Sequence, residues 1–128
     1  MQSGKLIYVV DDDVEYLRGI ELLLSAHGLG TRTFTSAEAL QADADVAEAE
    51  CLILDIHLGG ISGIELLYWL SGAGIGVPVV LVTANDTETT RKAAAAAGCG
   101  AFLVKPFSAK TLLDAMNRAT RPDDIRSS

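Results

Sequence analysis

Acidic, hydroxyl and ammonium side chains follow four short apolar runs of this 128-residue chain, at the points where the runs end. The pairs are residues 6–10 with Asp11 and Asp12, 51–54 with Asp55, 77–82 with Thr83, and 101–104 with Lys105. Carboxylates crowded at one place stay ionised near neutral pH around a cation, and all-oxygen ligands suit Mg²⁺. A lysine and a hydroxyl facing that ion would hold the oxygens of a phosphoryl group. The set predicts phosphoryl transfer, with Asp55 as the nucleophile that forms an acyl phosphate.

The elements that position these residues follow from hydrophobic patterning. The apolar runs, with a weaker one at 31–34, are nearly continuous in Val, Ile and Leu, which is typical of strands buried on both faces. Helices are predicted between the strands: one capped by Asp13 and ending before Gly28, one opened by a capping box of Thr35 and Glu38, and others at 62–71, 87–97 and 108–119, the last capped by Ser108. The alternation predicts an α/β fold, a (βα)₅ doubly wound five-stranded parallel sheet. Ligands of such sheets bind beyond the carboxyl ends of the strands.

Composition limits the classes of function. The length and the 49% of hydrophobic residues fit one globular domain, and the net charge of −7 argues against direct binding of nucleic acid or an anionic membrane. No apolar run is long enough to span a membrane, and Cys51 and Cys99 match no metal-binding spacing, so a reduced, cytoplasmic location is expected. We expect a domain at residues 1–121, followed by a polar tail or the start of a linker at 122–128.

The ordered motifs resemble the receiver domain of two-component response regulators, the CheY-like superfamily, over residues 5–120. The matching segments are Val10-Asp11-Asp12-Asp13, Leu54-Asp55 with Gly63 eight residues on, Val82-Thr83-Ala84, and Val104-Lys105-Pro106-Phe107. Segments 62–67 and 101–103 are most similar to nitrogen-fixation regulators of the FixJ type. The resemblance implies the flavodoxin-like strand order 2-1-3-4-5 and a cis Lys105–Pro106 bond.

The resemblance also implies a phosphorylation-dependent switch of a two-component phosphorelay. Such a switch is not an enzyme, apart from self-catalysed phosphoryl transfer and autodephosphorylation. Asp55 would accept a phosphoryl group from the phosphohistidine of a sensor histidine kinase, with Mg²⁺ or alternatively Mn²⁺. Asp12 and Asp55 would bind the ion directly, Asp11 through water, and the backbone carbonyl of His57 would be a further ligand.

In the same family, Thr83 and Lys105 would hold the phosphoryl oxygens and Phe102 would change rotamer on activation. The surface formed by the fourth helix, the fifth strand and the fifth helix would then change and bind a partner or a second copy of the chain. An output such as transcription regulation would need a further domain. The family usually has Met-Pro where this chain has Leu58-Gly59, so we expect a more mobile loop after the phosphoacceptor.

Two alternatives stay open beside this interpretation. A phosphatase of the haloacid dehalogenase type would use Asp11 and Asp13 as its Asp-x-Asp pair. It would also need a further acidic pair on another strand end after Lys105, and no apolar run that could form such a strand follows Lys105. Tyr68 and Trp69 flank the polar side of the third predicted helix and are expected to be exposed, either as an interface or as a lid over the core.

Overall fold

The computed structural model describes residues 5–120 of the chain. The strands are β1 (Ile7–Val10), β2 (Thr31–Phe34), β3 (Cys51–Asp55), β4 (Val79–Thr83) and β5 (Ala101–Val104). The α-helices are α1 (Val14–Ala26), α2 (Ala37–Gln41), α3 (Gly63–Gly72), α4 (Glu88–Ala97) and α5 (Ala109–Thr120), and a 3₁₀ turn covers Val46–Glu48. The expected domain end at 121 and the tail at 122–128 lie outside the described residues. Between residues 5 and 120, none of the helices has the length and apolar character to cross a membrane.

The strands form one parallel sheet in the order β2-β1-β3-β4-β5, which confirms the predicted (βα)₅ fold and its strand order. Every residue of β1, β3 and β4 is buried, as their continuous apolar sequences indicate. The two edge strands, β2 and β5, are only partly buried. This explains the weaker signal of β2, because an edge strand with an exposed Arg32 and Thr33 has no need of a continuous apolar run.

Helices cover both faces of the sheet and bury two separate hydrophobic clusters. On one face, α2, α3 and α4 contribute residues such as Leu40, Leu66, Leu70 and Ala94. On the other face, α1 and α5 contribute Leu17, Ile20, Leu24, Leu112 and Met116. Alternate residues of the central strands enter opposite clusters, so the strands are fixed in register from both sides. A rigid sheet of this kind holds the polar residues at its carboxyl edge in defined positions.

Helix caps follow the sequence with one correction. Asp13 accepts hydrogen bonds from the amides of Glu15 and Tyr16, and Ser108 accepts one from the amide of Thr111, as predicted. The capping box expected from Thr35 and Glu38 was wrong, because the cap of α2 is Ser36, whose hydroxyl accepts from the amide of Ala39 at 3.1 Å. The helix begins one residue later than that pattern requires. Glu38 is thereby free to accept a hydrogen bond from the amide of Ile61, in the loop after β3.

A complete capping box occurs instead at α3. Ser62 accepts from the amide of Glu65 at 3.1 Å, and the carboxylate of Glu65 accepts from the amide of Ser62 at 2.9 Å. Further along this helix, Tyr68 and Trp69 are 53% and 37% exposed, which confirms the expected exposure. The sequence interpretation started this helix at residue 62, and the structure places Ser62 just outside it.

Candidate functional site

The predicted chemical residues meet at the carboxyl edge of the sheet. Asp55 and Thr83 are the last residues of β3 and β4, while Asp11 and Lys105 follow β1 and β5 directly. Asp11, Asp55 and Thr83 are the buried polar residues of the part of the chain that the structure describes. Parallel pairing of β1 with β3, of β3 with β4, and of β4 with β5 brings these strand ends side by side. The four positions therefore lie together at one edge of the sheet, as the strand-end pattern predicts, and we refer to this site as the pocket.

Lys105 bridges the two buried carboxylates. Its Nζ donates to Oδ2 of Asp11 at 2.8 Å and to Oδ2 of Asp55 at 2.9 Å. The second oxygen of each carboxylate accepts from a backbone amide, that of Asp13 at 2.8 Å and that of His57 at 2.9 Å. Each carboxylate is thus held by one charged and one neutral donor, which fixes its plane as well as its position.

The charges in the pocket are unbalanced. Burial raises the pKa of Asp11, and the hydrogen bond from Lys105 offsets part of that rise. Burial also disfavours the ammonium of Lys105, but its hydrogen bonds to Asp11 and Asp55 outweigh this effect, so its pKa is raised. Two carboxylates facing one ammonium leave one net negative charge in a largely buried pocket. Such a pocket attracts a further cation.

The donor set fits Mg²⁺. The groups available are the carboxylates of Asp11, Asp12 and Asp55 and the backbone carbonyl of His57, all of them oxygen ligands. Asp12 is exposed, and the His57 side chain is exposed too, so neither is tied into the core. Over residues 5–120, no three His, Cys, Asp or Glu side chains already converge as a metal site would require. Lys105 holds one oxygen of each of the two buried carboxylates, and Asp12 is exposed.

Tyr16 is part of the pocket and was missed by the sequence interpretation. The Nζ of Lys105 lies 3.9 Å from the centroid of its ring. Its hydroxyl is buried without a hydrogen-bond partner among the described residues, and burial raises its pKa to about 12. The available signal was an aromatic residue in the first turn of α1, just after the cap at Asp13, but nothing in the spacing points it towards Lys105.

The predicted switch residues Thr83 and Phe102 have partners other than Asp55 in this structure. The Thr83 hydroxyl accepts from the amide of Asn85 at 3.0 Å and donates to the carbonyl of Asn85 at 3.4 Å. Phe102 is half-buried on β5, and the guanidinium of Arg91 lies 5.1 Å from its ring centroid. Arg91 in turn donates to both carboxylate oxygens of Asp86, at 2.6 and 3.0 Å.

The glycine eight residues after Asp55 has a packing role. A Cβ on Gly63 would collide with the backbone carbonyl oxygen of Asp55 and lie 3.0 Å from both the carbonyl carbon of Asp55 and the Cα of Ile56. The amide of Gly63 donates to the carbonyl of Ile56 at 3.0 Å. The start of α3 therefore packs directly on the backbone that carries the proposed nucleophile, an approach that only glycine allows.

The geometry weighs against the phosphatase alternative. That alternative requires the Asp13 carboxylate to act as an acid or base in the pocket, but Oδ1 of Asp13 accepts from the amides of Glu15 and Tyr16 at 3.0 and 3.2 Å. Asp13 is also exposed, whereas Asp11 and Asp55 are buried. Its position is that of a helix cap.

Fold and pocket together define a doubly wound α/β domain with an acidic, lysine-bridged site at the carboxyl edge of its sheet. The chain belongs to the response regulator receiver domain family, whose model matches residues 7–117. Members of this family are signalling domains of two-component systems rather than conventional enzymes.

The curated relatives of this chain include proteins named transcriptional regulatory proteins. The chain is 31% identical to nodulation protein W of Bradyrhizobium diazoefficiens over 94% of its own length and 53% of that protein. It is 33% identical to the transcriptional regulatory protein TdiR of Thauera aromatica, over 91% of its length and 52% of that protein. The chain spans about half the length of the curated relatives it matches.

Solved structures agree with the sequence relatives. The crystal structure of FixJ-N superposes with a TM-score of 0.84 at 29% identity, covering 94% of this chain and 95% of that one. The response regulator StyR superposes with a TM-score of 0.80 at 35% identity, covering 98% of this chain and 63% of that one. The expected similarity to FixJ-type regulators is therefore confirmed at the level of fold and family.

Proposed function

We propose that this domain is a phosphorylation-dependent switch in which Asp55 accepts a phosphoryl group from the phosphohistidine of a sensor histidine kinase. The observation that carries the proposal is the pair of buried carboxylates, Asp11 and Asp55, bridged by Lys105 at the edge where ligands of this fold bind. Buried carboxylates beside a lysine combine a nucleophile, a cation site and a charged hydrogen-bond donor, which are the parts of a phosphoryl-transfer site.

In the proposed reaction, a carboxylate oxygen of Asp55 attacks phosphorus as the phosphorus–nitrogen bond of the donor breaks. The electron pair of that bond leaves with the imidazole of the kinase, and the product is an aspartyl phosphate. Lys105 releases the Oδ2 of Asp55 and donates to a phosphoryl oxygen, while the amide of His57 holds the other carboxylate oxygen in place. Attack of water on the aspartyl phosphate would break its bond to Asp55, release inorganic phosphate, restore the carboxylate and so reset the switch.

A divalent cation is part of the proposal. Asp12 and Asp55 would bind Mg²⁺ directly, the His57 carbonyl would be a further ligand, and Asp11 would bind through water. When bound, the ion supplies positive charge that neutralises the phosphoryl oxygens during transfer. Mn²⁺ has the same preference for oxygen ligands and would substitute for it.

The signal would leave the site through Thr83 and Phe102. A phosphoryl oxygen on Asp55 would attract the Thr83 hydroxyl away from the backbone of Asn85, to which it bonds in this structure. Phe102 would then turn towards the vacated space and away from Arg91. The surface formed by α4, β5 and α5 would change shape and bind a partner or form a homodimer.

The setting of the domain is also proposed. A cytoplasmic receiver domain over residues 1–121, with a short linker after it, would place a separate output domain under the control of Asp55. The relatives nodulation protein W and TdiR are about twice as long as this chain, and TdiR is named a transcriptional regulatory protein. We therefore propose transcription regulation as the output, carried out by a domain beyond this segment, with no direct contact between this segment and nucleic acid or membrane.

Intact-mass spectrometry tests the reaction. Incubation with acetyl phosphate and Mg²⁺ should add one phosphoryl group to the wild-type protein and none to Asp55→Asn, which keeps the shape of the side chain but not its charge. Asp45→Asn, at an exposed aspartate in the loop before β3, is the matched control and should label like the wild type. Equal labelling of the wild type and Asp55→Asn would remove Asp55 from the proposed role.

Thr83→Ala tests the switch separately from the chemistry. This variant should still accept phosphate on Asp55, but phosphorylation should no longer promote association, as measured by analytical ultracentrifugation or partner binding. Thr33→Ala, on the exposed part of β2 at the opposite edge of the sheet, is the control. Undiminished association of phosphorylated Thr83→Ala would mean that the signal leaves by another surface, and the one bearing Tyr68 and Trp69 would be tested next.

A further inference from the structure

Tyr16 makes a contact with Lys105 that differs in kind from the other contacts of this lysine. The Nζ of Lys105 donates hydrogen bonds to Asp11 and Asp55, and it also lies 3.9 Å from the centroid of the Tyr16 ring. That distance is well within the roughly 6 Å over which a cation is attracted to the face of an aromatic ring. The Lys105 side chain is only 19% exposed, so water weakens this attraction little.

The ring of Tyr16, and not its hydroxyl, makes this contact. The hydroxyl is buried without a partner among the described residues, an arrangement that costs free energy. The ring packs against the cluster that α1 and α5 bury on the sheet, so the core itself holds the ring in place. The Tyr16 hydroxyl thus makes no hydrogen bond to a described residue, whereas the ring face contacts the ammonium of Lys105.

We infer that Tyr16 is a positioning residue for Lys105, whose ammonium its ring holds at the phosphoryl site. The inference rests on the proposed function. A lysine side chain has four rotatable carbon–carbon bonds and loses considerable entropy when it is fixed in one place. Its two carboxylate partners, Asp11 and Asp55, are the groups to which a cation and a phosphoryl group would bind, so the hydrogen bonds of Lys105 to them would change during the cycle. The ring is the contact that Lys105 keeps through the whole cycle.

Phosphorylation rates of three variants test the inference. With acetyl phosphate and Mg²⁺, Tyr16→Phe should label within about twofold of wild type, because it keeps the ring face. Tyr16→Leu should label about three- to tenfold more slowly, which corresponds to the usual strength of a partly buried cation–aromatic contact. In a Lys105→Gln background, Tyr16→Leu should cause no further loss. An equal loss in Tyr16→Phe and Tyr16→Leu, or a full Tyr16→Leu effect without Lys105, would overturn the inference.

A spectroscopic measurement keeps the inference testable if Tyr16→Leu folds poorly. Protons held over a ring face resonate upfield, so the ε-methylene protons of Lys105 should be shifted upfield in wild type and in Tyr16→Phe, without any phosphodonor. Ordinary lysine shifts in the wild type would overturn the inference. The two proposals fail separately. Labelling of Asp55→Asn would contradict the reaction, whereas Asp55-dependent labelling that is equally fast in wild type and Tyr16→Leu would contradict only the role of Tyr16.

Discussion

Replacing Gly63 by alanine tests whether the close packing of α3 on the phosphoacceptor strand is as tight as the structure shows. The added Cβ would collide with the carbonyl oxygen of Asp55 and lie 3.0 Å from two further backbone atoms. All three are main-chain atoms of a buried strand end, so none can rotate away. Overpacking of this kind typically costs about 1–3 kcal/mol of unfolding free energy. We also expect slower phosphorylation, because relief of the clash moves the backbone of Asp55.

Gly72→Ala is the matched control in the same helix. A Cβ there would meet nothing within 4 Å, so alanine should leave stability unchanged or raise it by up to about 1 kcal/mol through its higher helix propensity. Urea unfolding followed by circular dichroism measures both variants. With a dependence of about 2 kcal/mol per molar urea, a loss of about 2 kcal/mol lowers the midpoint by about 1 M. Equal midpoints for Gly63→Ala and Gly72→Ala would refute the packing argument.

Three further predictions follow from single contacts. Arg91→Ala should raise the pKa of Asp86, because hydrogen bonds from Arg91 now hold that pKa low, and NMR titration of the carboxyl group measures the change. Since the pKa of Asp86 is lower in the folded state, any stabilisation by this pair is present above the unfolded pKa of about 4. It is lost as the pH falls through the folded pKa. Glu38→Ala should speed hydrogen exchange of the Ile61 amide, its donor at 3.3 Å, and an unchanged rate would show that the tether is not formed in solution. Calorimetry should show that Asp12→Ala weakens Mg²⁺ binding at least tenfold. The Mg²⁺ affinity of the wild type should fall as the pH drops, because the raised pKa of Asp11 lets protons compete with the ion for its carboxylate. An affinity that does not change with pH would place the ion elsewhere.

The fold was predictable because its signals are local and agree with one another. Buried strands such as β3 and β4 carry continuous apolar runs. In a parallel sheet, the residues at the carboxyl ends of the strands all lie at the same edge. The convergence of Asp11, Asp55, Thr83 and Lys105 follows from that topology without any knowledge of side-chain positions. The edge strand β2 was the weakest signal, because its exposed side leaves room for Arg32 and Thr33.

The parts that could not be predicted depend on contacts between distant residues. No spacing rule places the ring of Tyr16 beneath Lys105 or the carboxylate of Glu38 against the amide of Ile61, since both contacts depend on how two helices pack on the sheet. The shift of the α2 cap from Thr35 to Ser36 is a related case. Both hydroxyl residues can cap a helix, and the choice depends on which register buries Ala37 and Leu40.

The net charge of the pocket indicates that, in the proposed cycle, a cation would bind before Asp55 is phosphorylated. Asp11 and Asp55 outnumber Lys105 by one negative charge, and Asp12 adds another at the exposed rim. Phosphorylation would replace the single negative charge of Asp55 by a group with a charge of about −2. The pocket would therefore become more negative during phosphoryl transfer, when its negative charge already repels the incoming phosphoryl oxygens. A divalent cation bound first would offset that repulsion and would leave Lys105 available to follow the phosphoryl oxygens. Lys105 would follow without leaving the pocket because the Tyr16 ring lies beside its ammonium. The Thr83 hydroxyl would redirect its proton from the carbonyl of Asn85, to which it now donates over a long 3.4 Å, towards a phosphoryl oxygen.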